Sequence, residues 1–179
     1  VGTYPGVLDA SYTSNSNYAV TVDKGDFTIT KAQTMTVSAE DVIETYDGTS
    51  YGVTATSNVT GATIKYWNET TNAYDLDESP KIANVADSVL TVKFQATHAN
   101  YAPVEGTATV TILPKAVTIT VDDKSKVFGE SDPVFTGTVG ELVNSGDLGE
   151  VTYSRTNTDE DVGTYPGVLD ASYTSNSNY

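Results

Sequence analysis

Apolar residues in this chain recur at every second position, and that spacing constrains the fold more than any other feature. Ala116-Val117-Thr118-Ile119-Thr120-Val121 alternates in this way, as do Thr107-Ala108-Thr109-Val110-Thr111-Ile112 and Phe27-Thr28-Ile29-Thr30. Val89 to Ala96 follows the same pattern, with Leu90, Val92, Phe94 and Ala96 in phase. A period of two sends successive side chains to opposite faces of a strand, one face packed and one wet, as in antiparallel sheets. Val, Ile, Thr and Tyr suit that half-buried pleated surface. The best helical candidate, residues 39–44, is short and rich in Val and Ile.

Turn formers interrupt the runs at Asp23-Lys24-Gly25, Asp47-Gly48, Glu78-Ser79-Pro80, Ser131-Asp132-Pro133 and Asn144-Ser145-Gly146-Asp147. Gly supplies positive φ, Pro fixes φ, and Asn or Asp caps its own backbone. Short strands with breaks every 8–12 residues predict an all-β chain built from small antiparallel, Ig-like β-sandwich modules. The alternatives are β-grasp-like modules or single-layer elongated ones. The expected core is Val37, Val42 or Ile43, Val53, Ile64, Tyr66, Ile82, Val85, Leu90, Val92, Phe94, Tyr101, Val110 and Ile112 in the middle of the chain. Elsewhere it is Val117, Ile119, Val121, Phe128, Phe135, Leu142, Val151, Tyr153, Tyr165 and Val168, with Tyr18, Val20, Phe27 and Ile29.

The chain also repeats itself. Residues 1–18 read VGTYPGVLDASYTSNSNY, and residues 162–179 are identical. The offset is about 160 residues, and so long an identical run marks a tandem array. A weaker echo lies inside it. Strands close on Lys31-Ala32 and on Lys115-Ala116, and Asn-Tyr precedes each at 17–18 and 100–101. The division that follows is 1–31 as the C-terminal part of one module, 32–114 as a complete module, and 115–179 as the N-terminal and middle part of the next. Both ends then fall inside a module, as in a window on a longer repetitive polypeptide. If 1–179 were instead a complete subunit, residues 1–31 of a neighbour would fill the last module by strand addition.

Composition excludes several classes. Asp and Glu number 24 against nine Lys and Arg, for a net charge of −15. Such a polyanion does not seek nucleic acid or an anionic membrane surface. With no Cys and one His, His98, the chain has no disulfide framework and no thiolate or His-paired metal site. No apolar run approaches the roughly 20 residues of a membrane helix. No nucleophile, base and orienting group share a recognisable spacing, so the chain reads as a non-enzyme.

The run from Lys115 carries a Val117-Thr118-Ile119 strand, then Lys126-Val127-Phe128-Gly129, Asp132-Pro133, Gly146-Asp147, Val162-Gly163-Thr164-Tyr165 and Asn178-Tyr179. These spaced features resemble the MBG domain of the YGX type, with Phe128 standing where that family usually has Tyr. Residues 19–31 complete the family's end in the first copy. The middle module, with Tyr46-Asp47-Gly48 and Ala99-Asn100-Tyr101, is similar more loosely to YDG-like companion repeats found beside MBG domains. The resemblance implies tandem repeats of a large extracellular bacterial surface protein, adhesins included. It implies no enzymatic activity and carries over no binding residues.

The expected function is therefore a structural repeat of a surface stalk or fibre, with neighbouring repeats or identical subunits as partners. The alternative is a carbohydrate- or mucus-binding module for host glycans. Its contacts would be Trp67 and Tyr74 at a hairpin tip, because aromatic faces stack on sugar rings. Among the acidic clusters, Asp122-Asp123 is the candidate Ca²⁺ site, since that ion takes six to eight oxygens. The default reading of these clusters is a solvated acidic face. Lys31, Lys93 or Lys115 with Asn17, Asn100 or Asn178 are conceivable isopeptide partners, but no spacing selects a pair. For the three Asn-Tyr steps, the expectation is a packed Tyr ring whose hydroxyl ties down a neighbouring loop.

Overall fold

The alternating runs do become strands. The computed structural model describes every residue from Val1 to Tyr179. It contains β1 (Gly2–Leu8), β2 (Gly25–Ile29), β3 (Val37–Ser38), β4 (Val42–Thr45), β5 (Thr56–Ser57), β6 (Thr63–Asn68) and β7 (Ala73–Leu76). These are followed by β8 (Leu90–His98), β9 (Tyr101–Leu113), β10 (Ile119–Val121), β11 (Gly137–Val139), β12 (Thr152–Arg155) and β13 (Leu169–Ser172). The sole helical element is a 3₁₀ turn at Val85–Asp87, so the chain is all-β. No helix is long and apolar enough to cross a membrane. The chain divides into two units, one of residues 1–41, 53–80 and 91–109, the other of residues 42–52, 81–90 and 110–179.

In the first unit, β8 lies between β9 and β6, and β7 follows β6. β6 pairs antiparallel with β8 (Ile64 opposite Ala96, Tyr66 opposite Phe94) and with β7 (Trp67 opposite Tyr74). The alternation of β8 decides what is buried: Val92, Phe94 and Ala96 face inward, each at most 1% exposed. Met35, Val53, Tyr66 and Ala108 complete this core. The edge of Tyr66 meets Phe94 with ring centres 6.2 Å apart. The Tyr66 hydroxyl accepts a hydrogen bond from Ala55 N–H and donates one to the Val53 carbonyl, so the buried polar atom is satisfied. Gly106 on β9 is the residue that lets Phe94 fit. A Cβ there would lie 2.5 Å from Phe94 Cε2.

The same unit holds the β1–β2 hairpin, a two-stranded sheet of its own. Gly2 faces Ile29, Thr3 faces Thr28, Tyr4 faces Phe27 and Leu8 faces Gly25, with a bulge between Tyr4 and Leu8. Pro5 and Gly6 make that bulge, Gly6 at φ 64°. Asp26 Oδ1 accepts the Gly6 N–H at 2.9 Å, which replaces the ladder bond lost there.

In the second unit, β4 pairs with the last residues of β9, Val42 opposite Val110 and Thr45 opposite Leu113. This pairing is parallel, unlike the antiparallel arrangement the alternation suggests. A parallel pair requires a long crossover, and residues 46–109 separate the two segments. β10 pairs with β11 and β12 with β13, both antiparallel. Tyr46, Val110, Ile112 and Leu148 are buried. Asn178 is also buried, and both ends of its amide are used. It accepts from Val85 N–H at 2.9 Å and donates to Asn84 Oδ1 at 3.2 Å.

Several residues expected inside lie outside. Tyr18 is 72% exposed and Phe128 68%; Val20, Phe27 and Ile29 are also exposed, while of the pair Val42 or Ile43 it is Val42 that turns inward. Ile43 alternates out of phase with half-buried Val42 on β4. Phe27 and Ile29 stand on a two-stranded hairpin whose β2 residues are all exposed. Met35, Tyr46 and Leu148 are buried although the alternation marks none of them.

Candidate functional site

Trp67 and Tyr74 stand opposite one another on β6 and β7, with ring centres 5.1 Å apart at 71°. The hairpin between them turns through Asn72 at φ 53°, a conformation Asn tolerates. Asn68 supports the turn twice: its carbonyl accepts Asn72 N–H and its Oδ1 accepts Thr70 N–H. Both rings are half-buried. Lys93 places Nζ 5.4 Å from the Trp67 ring centre and 3.9 Å from Glu69. Trp67 Nε1 is buried without a hydrogen-bond partner. Burial, and then the Glu105 carboxylate, push the Tyr74 phenol above its ordinary value. The sequence does not mark Lys93 or Glu105 as neighbours of this pair, because each reaches it from a strand remote in sequence.

Asp122 and Asp123 lie just past β10. Asp122 Oδ2 accepts the Thr136 hydroxyl, and its N–H bonds the Thr136 carbonyl, so this residue extends the β10–β11 ladder. No group of three or more His, Cys, Asp or Glu side chains converges to hold a metal ion, there or elsewhere. The two carboxylates alone fall well short of the six to eight oxygens Ca²⁺ takes.

The three Asn-Tyr steps differ. Tyr179 donates to Asp147 at 2.6 Å and accepts Val143 N–H at 2.8 Å, which ties the 143–147 loop to the end of the chain. Tyr101 packs edge-on against His98, 5.2 Å between ring centres, at the tip of the β8–β9 hairpin. Tyr18 is exposed. Of the residues considered for crosslinks, Lys93 is engaged at Trp67, and the amide of Asn178 is hydrogen-bonded through both its oxygen and its nitrogen.

A larger feature escaped the sequence reading. An open groove of about 720 Å³ lies in the second unit, lined by Val121, Phe128, Phe135, Val168 and Leu169 and by the loop from Asp161 to Gly167. At its side sits a four-member ion-pair cluster. Asp132 receives Lys126 and Arg155, each at 2.9 Å, and Glu160 receives the same two cations. Hydrogen bonds from Lys126 and then Arg155 hold the Glu160 carboxyl below its ordinary range. Hydrogen bonds to Glu160 and then Asp132 raise Lys126. Asp159-Glu160-Asp161 read as a solvated acidic run; in the fold, Glu160 is paired. The partners lie on separate strands and turns, and sequence spacing carries no sign of them.

Residues 117–179 match the family model of the MBG domain (YGX type). Comparison with curated proteins and with solved structures returned no match. The MBG segment spans β10 to β13, so it contains the groove, the ion-pair cluster and the Tyr179–Asp147 tie. Trp67 and Tyr74 lie outside it.

Proposed function

We propose that this chain is a structural repeat segment of a long extracellular bacterial surface protein, in which β modules in series form a stalk that spaces an adhesin from the cell. The reading is carried by the MBG match at 117–179 together with the identical sequence at 1–18 and 162–179. Serial modules that contact mainly their neighbours make extended, semi-rigid arrays. The net charge of −15 keeps parallel copies apart. In this role the chain performs no catalysis, and its partners are neighbouring repeats.

Sugar binding through Trp67 and Tyr74 is the second reading, favoured by their pairing on one hairpin. Spacing is preferred because Lys93 already stands over the Trp67 ring. The test is surface accessibility on the cells that make the protein. Antibodies raised to 1–179 should label intact cells, and external protease should release the antigen. Labelling only after lysis would overturn the proposal.

A further inference from the structure

β4 and β9 form a parallel ladder, whereas β1–β2, β3–β5, β6–β7, β6–β8, β10–β11 and β12–β13 are antiparallel. The sense of pairing decides how two strands meet a pull along the chain. The chain reaches β4 at Val42, opposite Val110, and leaves β9 at Leu113, opposite Thr45. Tension therefore takes hold of the pair at opposite ends and drags one strand past the other. All the bonds between them are loaded together, and none parts until the group does. A hairpin such as β1–β2 is held at one end, where Gly2 faces Ile29, and its bonds part in succession.

We propose that the β4–β9 seam is a shear clamp that carries tension along the stalk. The tension comes from the role proposed above, so the clamp rests on that reading. Its bonds continue past the ladder at both ends. Tyr46 N–H bonds the Leu113 carbonyl at 2.8 Å. At the other end Thr109 N–H bonds Asp41 Oδ1 at 2.7 Å, a side chain standing in for the next backbone acceptor. Ala32 makes a parallel bridge with Tyr101, the first residue of β9. There Ala32 N–H bonds the Asn100 carbonyl and Ala102 N–H bonds the Ala32 carbonyl, each at 2.9 Å. A pull from the N-terminal side loads that bridge in the same sense.

The neighbours of β9 keep it in place while β4 is pulled. Val110 and Ile112 are 0% and 2% exposed, so water has little access to replace a stretched bond beside them. Ser88 holds both backbone groups of Ile112: its Oγ accepts the Ile112 N–H at 2.7 Å and donates to the Ile112 carbonyl at 3.2 Å. β8 lies on the side of β9 away from β4. β4 is an edge strand with β9 as its one partner in the sheet, so sliding starts at this seam.

The absence of cysteine lets force be applied at chosen points. Lys31, Thr45, Leu113 and Pro114 are all exposed. In the whole chain, Lys31→Cys with Pro114→Cys takes two DNA handles that load the seam along its strands. Thr45→Cys with Leu113→Cys takes the same handles at one end of the pair and peels it. Single-molecule pulling should give a rupture force several-fold higher on the first axis, with about 250 Å of chain released in that event. Asp41→Ala should lower the force on the first axis alone, because peeling starts at the end of the pair remote from Asp41. Equal forces on the two axes overturn the clamp. So does an equal loss on both axes in Asp41→Ala, or a main rupture that releases far less than about 250 Å and so places the load on other contacts. The forces are read on purified chain and the antibody labelling on cells, so failure of the clamp and failure of the stalk reading are told apart.

Discussion

Tyr179 and Asp147 are joined by a 2.6 Å hydrogen bond from phenol to carboxylate. That bond is the leading reason the Asp147 carboxyl sits below its ordinary range. Burial, followed by the same bond, raises the Tyr179 phenol. The signs fix a pH window. The lowered carboxyl stabilises the fold above its unfolded value of 3.8, and that contribution is lost as pH falls through the depressed folded value. The raised phenol stabilises below its unfolded value of 10.0, and that part is lost as pH rises through the elevated one. Tyr179→Phe should therefore lower Tm by on the order of a few degrees between these limits, with the gap from the unsubstituted chain narrowing beyond either. Thermal melts across pH check this; a gap that is constant with pH contradicts it.

Gly106 and Phe94 make a second test. Phe94 is fully buried and cannot retreat from a new Cβ 2.5 Å away. Gly106→Ala should cost about 1–3 kcal/mol from overpacking. Phe94→Ala should cost about 3–5 kcal/mol from lost burial and the cavity left behind. The double variant should be more stable than the sum predicts, because the methyl group added at position 106 occupies space the phenyl ring vacates. Denaturant titration of the four chains measures the coupling, and strict additivity would refute the contact as described.

Trp67 is the single tryptophan, so its fluorescence reports the β6–β7 hairpin without interference. Lys93→Ala removes the cation above the ring and should cost about 0.5–1 kcal/mol, with a shift in Trp67 emission. If the hairpin serves spacing, titration with mucin glycans leaves that emission unchanged. A saturable change that Trp67→Phe or Tyr74→Ala weakens would transfer the function to sugar binding.

What could be read from the sequence divides along a physical line. The inward phase of Val92, Phe94 and Ala96 was legible because a strand with one dry face writes its burial into local alternation. Leu148 and Met35 lie in irregular segments, where no period announces burial. The parallel β4–β9 pairing and the cluster of Lys126, Asp132, Arg155 and Glu160 depend on which distant segments meet, and local pattern does not encode that. The repeated VGTYPGVL makes the point most directly. Identical residues form a strand where β2 lies alongside and an open loop where it does not. Strand formation here is a property of the pair, with local sequence supplying only the bulge at Gly6 and Gly167.

The ion-pair cluster gives the last test. Glu160 is held low by Lys126 and Arg155, so its contribution is present above the ordinary Glu value of 4.5 and is lost as pH falls through the depressed one. Lys126 is raised by Glu160 and Asp132, so its contribution is present below 10.5 and is lost as pH rises through the elevated value. Glu160→Gln abolishes the acid-side step outright and weakens the alkaline one, since Asp132 still holds Lys126. The variant should melt on the order of a few degrees lower at neutral pH, and its Tm should fall less steeply than that of the unsubstituted chain below pH 4.5. Molar salt should narrow the difference, because the side chains remain partly open to solvent. Parallel acid limbs for the two proteins would show that the cluster contributes nothing to folding.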